Sequence, residues 1–132
     1  MTSPSRSDDY RRRHPSVVPS VPQPFAHPSE QLFSQLLTLY GFRWIYEPLE
    51  FPLDWDERGV PVRGFRPDFY LPERRLFIEL TVLEQRLVTK KNGKVRRFRQ
   101  LYPEIPLLVV YQRDFRQLLR QHDLRIVDGR AA

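Results

Sequence analysis

The chain contains no cysteine, which excludes a disulfide framework and a thiolate zinc site alike. Histidine is nearly as scarce, and His14, His27 and His122 lie too far apart in sequence to suggest a shared metal. No apolar run is long enough for a membrane helix. The first residues are polar and basic without an apolar segment, so a cytoplasmic protein is expected. Lysine is the most informative shortage. Of 22 basic residues only Lys90, Lys91 and Lys94 are lysines. Arginine cannot give up its proton, whereas lysine is a compact donor whose proton affinity responds to burial. Codon drift is the plain explanation for a chain that writes arginine elsewhere but keeps lysine in one short window, and a chemical need for lysine there is the sharper and favoured one.

What is present fits one domain. At 132 residues the chain can bury a core without staples, and its formal charge of +6 points to a polyanionic partner, nucleic acid before others. Residues 1–26 carry Pro4, Pro15, Pro19, Pro22, Pro24 and the Arg11–Arg13 run, and read as a disordered tail. Residues 27–128 form the expected domain, with 129–132 a loose end. Leu32, Phe33, Leu36, Leu37 and Tyr40 recur at helical spacing from Pro28 to Gly41. Residues 42–47 read as an aromatic strand and 48–64 as a loop punctuated by Pro52, Gly59, Pro61 and Gly64. Pro67–Leu71 and Leu76–Thr81 form a hairpin. A helix over 89–102 follows, then a continuous apolar strand over 106–111 of the central parallel kind, a helix capped by Asp114, and a short strand at 125–127. The order predicts an α/β fold with a mixed sheet flanked by helices and a right-handed crossover between residues 76 and 111.

The hairpin carries the chemistry. If Leu71 pairs with Leu76, Asp68 falls opposite Glu79. Cross-strand Cβ atoms lie about 4.5–5.5 Å apart, where like charges repel unless a cation bridges them. The ordinary alternative pairs these acids with Arg66 or Arg75 on an exposed face. Glu79 argues against it, standing inside the apolar run Leu76–Val82. Carboxylate oxygens suit Mg²⁺ or Mn²⁺, and either the side chain of Thr81, on the same face as Glu79, or the carbonyl of Leu80 could complete the shell. Glu30 lies three residues before Phe33 and seven before Leu37, so it falls on the apolar face of the first helix. There it is either a ligand or an acid placed to suit the helix dipole. Lys91 stands four before Val95 and seven before Phe98, and Lys94 four before Phe98, so both extend a buried face toward Glu79. Lys90 turns further away and, with Arg96, Arg97 and Arg99, is expected to hold a nucleic-acid backbone.

Phe65-Arg66-Pro67-Asp68-Phe69-Tyr70-Leu71-Pro72-Glu73, followed by Leu76-Phe77-Ile78-Glu79-Leu80-Thr81, resembles the catalytic hairpin of the PD-(D/E)XK nuclease superfamily. The likeness is to small bacterial members with a PDFYLPE motif, and it runs from about Glu30 to Phe115. It implies a restriction-endonuclease-like core, αβββαβ, and Mg²⁺-dependent cleavage of phosphodiester bonds, in DNA before RNA; the sequence leaves open whether the chain forms a homodimer. It makes Asp68 and Glu79 metal carboxylates, with the Leu80 carbonyl beside them, and Glu30 the acid of the first core helix. The family's lysine, two residues after the glutamate, is Thr81 here. Either the site is silent, leaving a nucleic-acid-binding or scaffolding module, or a lysine arrives from the next helix, with Lys91 first and Lys94 second.

Overall fold

The computed structural model describes residues 25–81 and 85–121, together with the short strands at 18–19, 126–127 and 130–131. In chain order these are β1 (Val18–Pro19), α1 (Pro28–Leu39), β2 (Ile45–Tyr46), β3 (Leu49–Trp55), β4 (Pro61–Phe65), β5 (Phe69–Leu71), β6 (Leu76–Thr81), α2 (Gln85–Leu101), β7 (Leu107–Tyr111), α3 (Gln112–Gln121), β8 (Ile126–Val127) and β9 (Arg130–Ala131). The expected α/β architecture with a mixed sheet is what the chain adopts. Its sheet runs β2-β5-β6-β7, antiparallel as far as β6 and parallel from β6 to β7 across the α2 connection.

The hairpin register pairs Phe69 with Ile78, Tyr70 with Phe77 and Leu71 with Leu76, as read from the sequence. Period two then sorts the side chains into two cores. Tyr70 and Phe77 join Leu49, Phe51, Leu53, Phe65, Val95, Phe98 and Tyr102 under β3, β4 and α2. Phe69, Leu71, Ile78 and Leu80 join Leu32, Phe33, Leu36 and Leu37 of α1 and Phe115 and Leu119 of α3. Asp68 and Glu79 share the parity of Tyr70 and Phe77, so they stand on the α2 side of the sheet.

The expected loop over 48–64 is instead a β-hairpin. Leu49, Phe51 and Leu53 alternate with Glu50, Pro52 and Asp54, a strand pattern that the proline disguises. Pro52 is tolerated because the pairing shifts register directly after it. Asp56 closes the turn by accepting the N–H groups of Arg58 and Val60 on Oδ1. Other boundaries move as well. The sheet strand before Glu47 is only Ile45–Tyr46. α2 begins at Gln85 rather than residue 89, so Gly93 lies mid-helix. α3 begins at Gln112, which puts Asp114 in its first turn instead of at the cap. β7 is not central: among the described residues it ends the sheet, with Leu108 and Tyr111 exposed. Within the expected tail Val18–Pro19 pair with β3, and within the expected loose end Arg130–Ala131 pair with β8. Phe25 and Ala26, the last residues of the expected tail, are also described, while the rest of both segments, including His14 and the Arg11–Arg13 run, lies outside the described residues, as does His122. Among those residues no helix is long and apolar enough to cross a membrane.

Candidate metal centre and its lysine

The hairpin register places Asp68, just ahead of β5, opposite Glu79 of β6. Each carboxylate is then fixed by the other strand's backbone. The Asp68 N–H donates to Glu79 Oε1 at 3.2 Å, and the Leu80 N–H donates to Asp68 Oδ2 at 2.7 Å. Both acids are buried, Glu79 to 2% exposure.

A third acid comes from the start of α1. His27 caps this helix by accepting the Ser29 N–H on Nδ1, Pro28 follows, and Glu30 sits in the first turn. Tyr46 of β2 donates its hydroxyl to Glu30 Oε1 at 3.1 Å and accepts the Ala26 N–H. Glu30 Oε2 is buried and, among the described residues, has no hydrogen-bond partner.

Glu47 supplies the fourth. Its φ of 44° is left-handed, a conformation that costs a non-glycine residue about 1–3 kcal/mol and that clusters at functional sites. Its N–H is held by the Asp68 carbonyl at 2.8 Å. Glu30, Glu47 and Asp68 each bring a carboxylate oxygen to within 4.8 Å of the others, a group that could hold a metal ion.

The lysine arrives from α2. Lys91 Nζ lies 3.1 Å from Glu79 Oε2 and 3.8 Å from Asp68 Oδ2, and donates to the Leu80 carbonyl. That carbonyl, expected among metal ligands, thus faces an ammonium. Lys94 lines the same cavity, while Lys90 and Arg96 are exposed on the helix surface. Two of the expected backbone-holding arginines have structural partners. Arg97 Nε donates to the Leu53 carbonyl and pairs with Asp54, and Arg99 donates to the Leu107 carbonyl. Arg66 pairs with Glu47 and Glu50 and not with the Asp68–Glu79 pair.

These groups surround a cavity of about 450 Å³. Among the described residues five carboxyls (Glu30, Glu47, Glu50, Asp68, Glu79) line it against three cations (Arg66, Lys91, Lys94), a formal charge of −2 with every carboxyl ionised. Burial, and then the neighbouring Asp68 charge, raises the Glu30 carboxyl to about 7. Burial and then Glu79 raise Asp68 to about 8, even though Lys91 and the Leu80 N–H favour its charged form. Burial also lifts Glu79 against Lys91, and Glu47 against Arg66. Among the described residues the cations lining this cavity therefore do not balance its acids. The unpartnered Glu30 oxygen, the crowding of carboxylates and an all-oxygen donor set fit a hard divalent cation.

Of the residues singled out from the sequence, Asp68, Glu79, Glu30, Lys91 and Lys94 converge on this cavity. Glu47 escaped notice. Its only signal was an acid at the end of an aromatic strand directly before Pro48, a position where a left-handed backbone is not expected. Comparison of the chain with protein-family models, with curated proteins and with solved structures finds no match in any of the three.

Proposed function

We propose that the chain is a metal-dependent phosphodiester hydrolase of the PD-(D/E)XK kind, acting on nucleic acid, with DNA the first candidate. The observation that carries this reading is one ammonium, Lys91, shared by Glu79 and Asp68 in a cavity that also gathers Glu30 and Glu47. The resemblance asks for a lysine at position 81. Lys91 delivers that charge to the same two acids from the neighbouring helix.

Glu30, Glu47 and Asp68 would hold the cation, Mg²⁺ or Mn²⁺ by their donor type. The chemistry a divalent cation supplies in such a site is polarisation of a phosphoryl oxygen and acidification of a water. The chain's own groups do the rest. Glu79 and the Leu80 carbonyl aim the Lys91 ammonium beside Asp68, where it can orient a water and stabilise charge developing on the phosphate oxygens. The Asp68–Leu80 and Glu79–Asp68 backbone hydrogen bonds fix both acids before substrate arrives, so little rearrangement is needed. Lys90, Lys94 and Arg96 would hold the phosphate backbone without reading sequence.

The test is cleavage of plasmid and branched DNA with Mg²⁺ or Mn²⁺ by the wild type beside Asp68→Ala. Divalent-dependent cleavage lost in the variant is expected, and cleavage that survives the substitution overturns the assignment. A catalytically silent nucleic-acid-binding module instead predicts salt-sensitive binding with no cleavage and no divalent affinity.

A further inference from the structure

The hydrolase reading uses Lys91 but leaves another cation of the same cavity unexplained. Arg66 lies on the link between β4 and β5. The β3–β4 register, Phe51 with Phe65 and Pro52 with Gly64, sets position 66 opposite Glu50. A Cβ at Gly64 would stand 2.9 Å from Glu50 Oε1 and 3.0 Å from its Cγ, so the Glu50 side chain lies along β4 in the space this glycine leaves open.

The guanidinium nevertheless keeps its distance from both acids, 3.7 Å from Glu47 Oε2 and 3.8 Å from Glu50 Oε2. A charge-assisted N–H···O bond is about 2.8 Å long. Arg66 Nε is buried and has no hydrogen-bond partner among the described residues, so part of its donor fork is left unsatisfied by the protein. A planar fork of donors, turned into the cavity and only loosely held by its acids, matches the geometry of a phosphate. It stands on the Glu47 side of the carboxylates, while Lys91 stands on the Glu79 side.

We propose that Arg66 is a phosphate-binding residue of this site, its guanidinium taking the non-bridging oxygens of the substrate's phosphodiester across the carboxylates from Lys91. That the phosphate belongs to a nucleic acid rests on the hydrolase reading; that the site takes a phosphate does not. Because the described residues of the lining carry a formal −2 with every carboxyl ionised, the anion should bind only once a divalent cation is present.

The test is calorimetric titration of the wild type, Arg66→Gln and Arg66→Lys with Mg²⁺, and of each Mg²⁺-loaded protein with thymidine 5′-monophosphate. The wild type should bind the nucleotide with Mg²⁺ and not with a chelator. Arg66→Gln should bind it about tenfold or more weakly, with Mg²⁺ affinity kept or improved, and Arg66→Lys should fall between. Equal nucleotide affinity in wild type and Arg66→Gln overturns the proposal, as does a wild type that binds none. Joint loss of Mg²⁺ and nucleotide in both variants overturns it too, marking Arg66 as a prop for Glu47 and Glu50. A wild type that binds the nucleotide through Arg66 yet leaves plasmid and branched DNA intact supports the phosphate site and removes the hydrolase reading.

Discussion

Lys91 places its ammonium 3.1 Å from Glu79 although the two residues belong to different elements, a helix and a strand. Position 81, two residues beyond Glu79 on the same strand face, is a threonine whose buried Oγ1 has no hydrogen-bond partner among the described residues. The lysine charge on the two hairpin acids thus comes from α2 and not from their own strand.

Glu47 should matter as much as the acids of the motif. Glu47→Gln removes one charge from the group formed with Glu30 and Asp68 and leaves the size of the side chain nearly unchanged, while one acceptor oxygen becomes a donor. Mn²⁺ affinity measured by calorimetry should fall about tenfold or more, with cleavage falling alongside. An unchanged affinity would place the cation elsewhere.

Asp68→Asn should separate stability from function. Burial and Glu79 disfavour the Asp68 charge, so the amide relieves a cost in the metal-free protein while still accepting the Leu80 N–H. A gain of roughly 1–2 kcal/mol is expected, seen as a melting point several degrees higher in chelator, with divalent binding lost. A lower melting point would mean that the pairing with Lys91 outweighs burial.

The same crowding sets a pH dependence. Asp68 at about 8 and Glu30 at about 7 lie above their unfolded values, and Glu47 and Glu79 shift the same way. The folded protein therefore binds more protons than the unfolded chain between about pH 4 and 8. The stability these groups contribute is fully present below about pH 4 and is lost as pH rises through 7 to 8. Melting curves in chelator should drop between pH 5.5 and 8.5. Mg²⁺ should restore more at the alkaline end, because a cation binding the charged carboxylates displaces protons at the acid end. A melting point flat over this range would contradict the carboxylate crowding.

Much of this site was legible because hairpins obey simple arithmetic. Pairing Leu71 with Leu76 was enough to set Asp68 against Glu79, and helical spacing brought Lys91 and Glu30 inward. Glu47 and Arg66 were not legible in the same way. Glu47 reaches the cavity through a left-handed backbone, which no side-chain pattern announces. Arg66 owes its placement to β3 and β4, whose strand pattern is broken by Pro52 and Gly64 and reads as loop. The edge position of β7 was missed for a different reason. An apolar run reports that a strand packs against something, and the chain order alone does not say on how many sides.

The most direct test of the account moves the lysine. Lys91→Ala should cut divalent-dependent cleavage of plasmid or branched DNA by about a hundred- to a thousandfold. Thr81→Lys combined with Lys91→Ala should recover a substantial part of it, because position 81 shares the strand face of Glu79 and the shortened residue 91 leaves room for the new ammonium. Full activity in Lys91→Ala, or a wild type with no divalent-dependent cleavage at all, would contradict the claim that Lys91 completes this site.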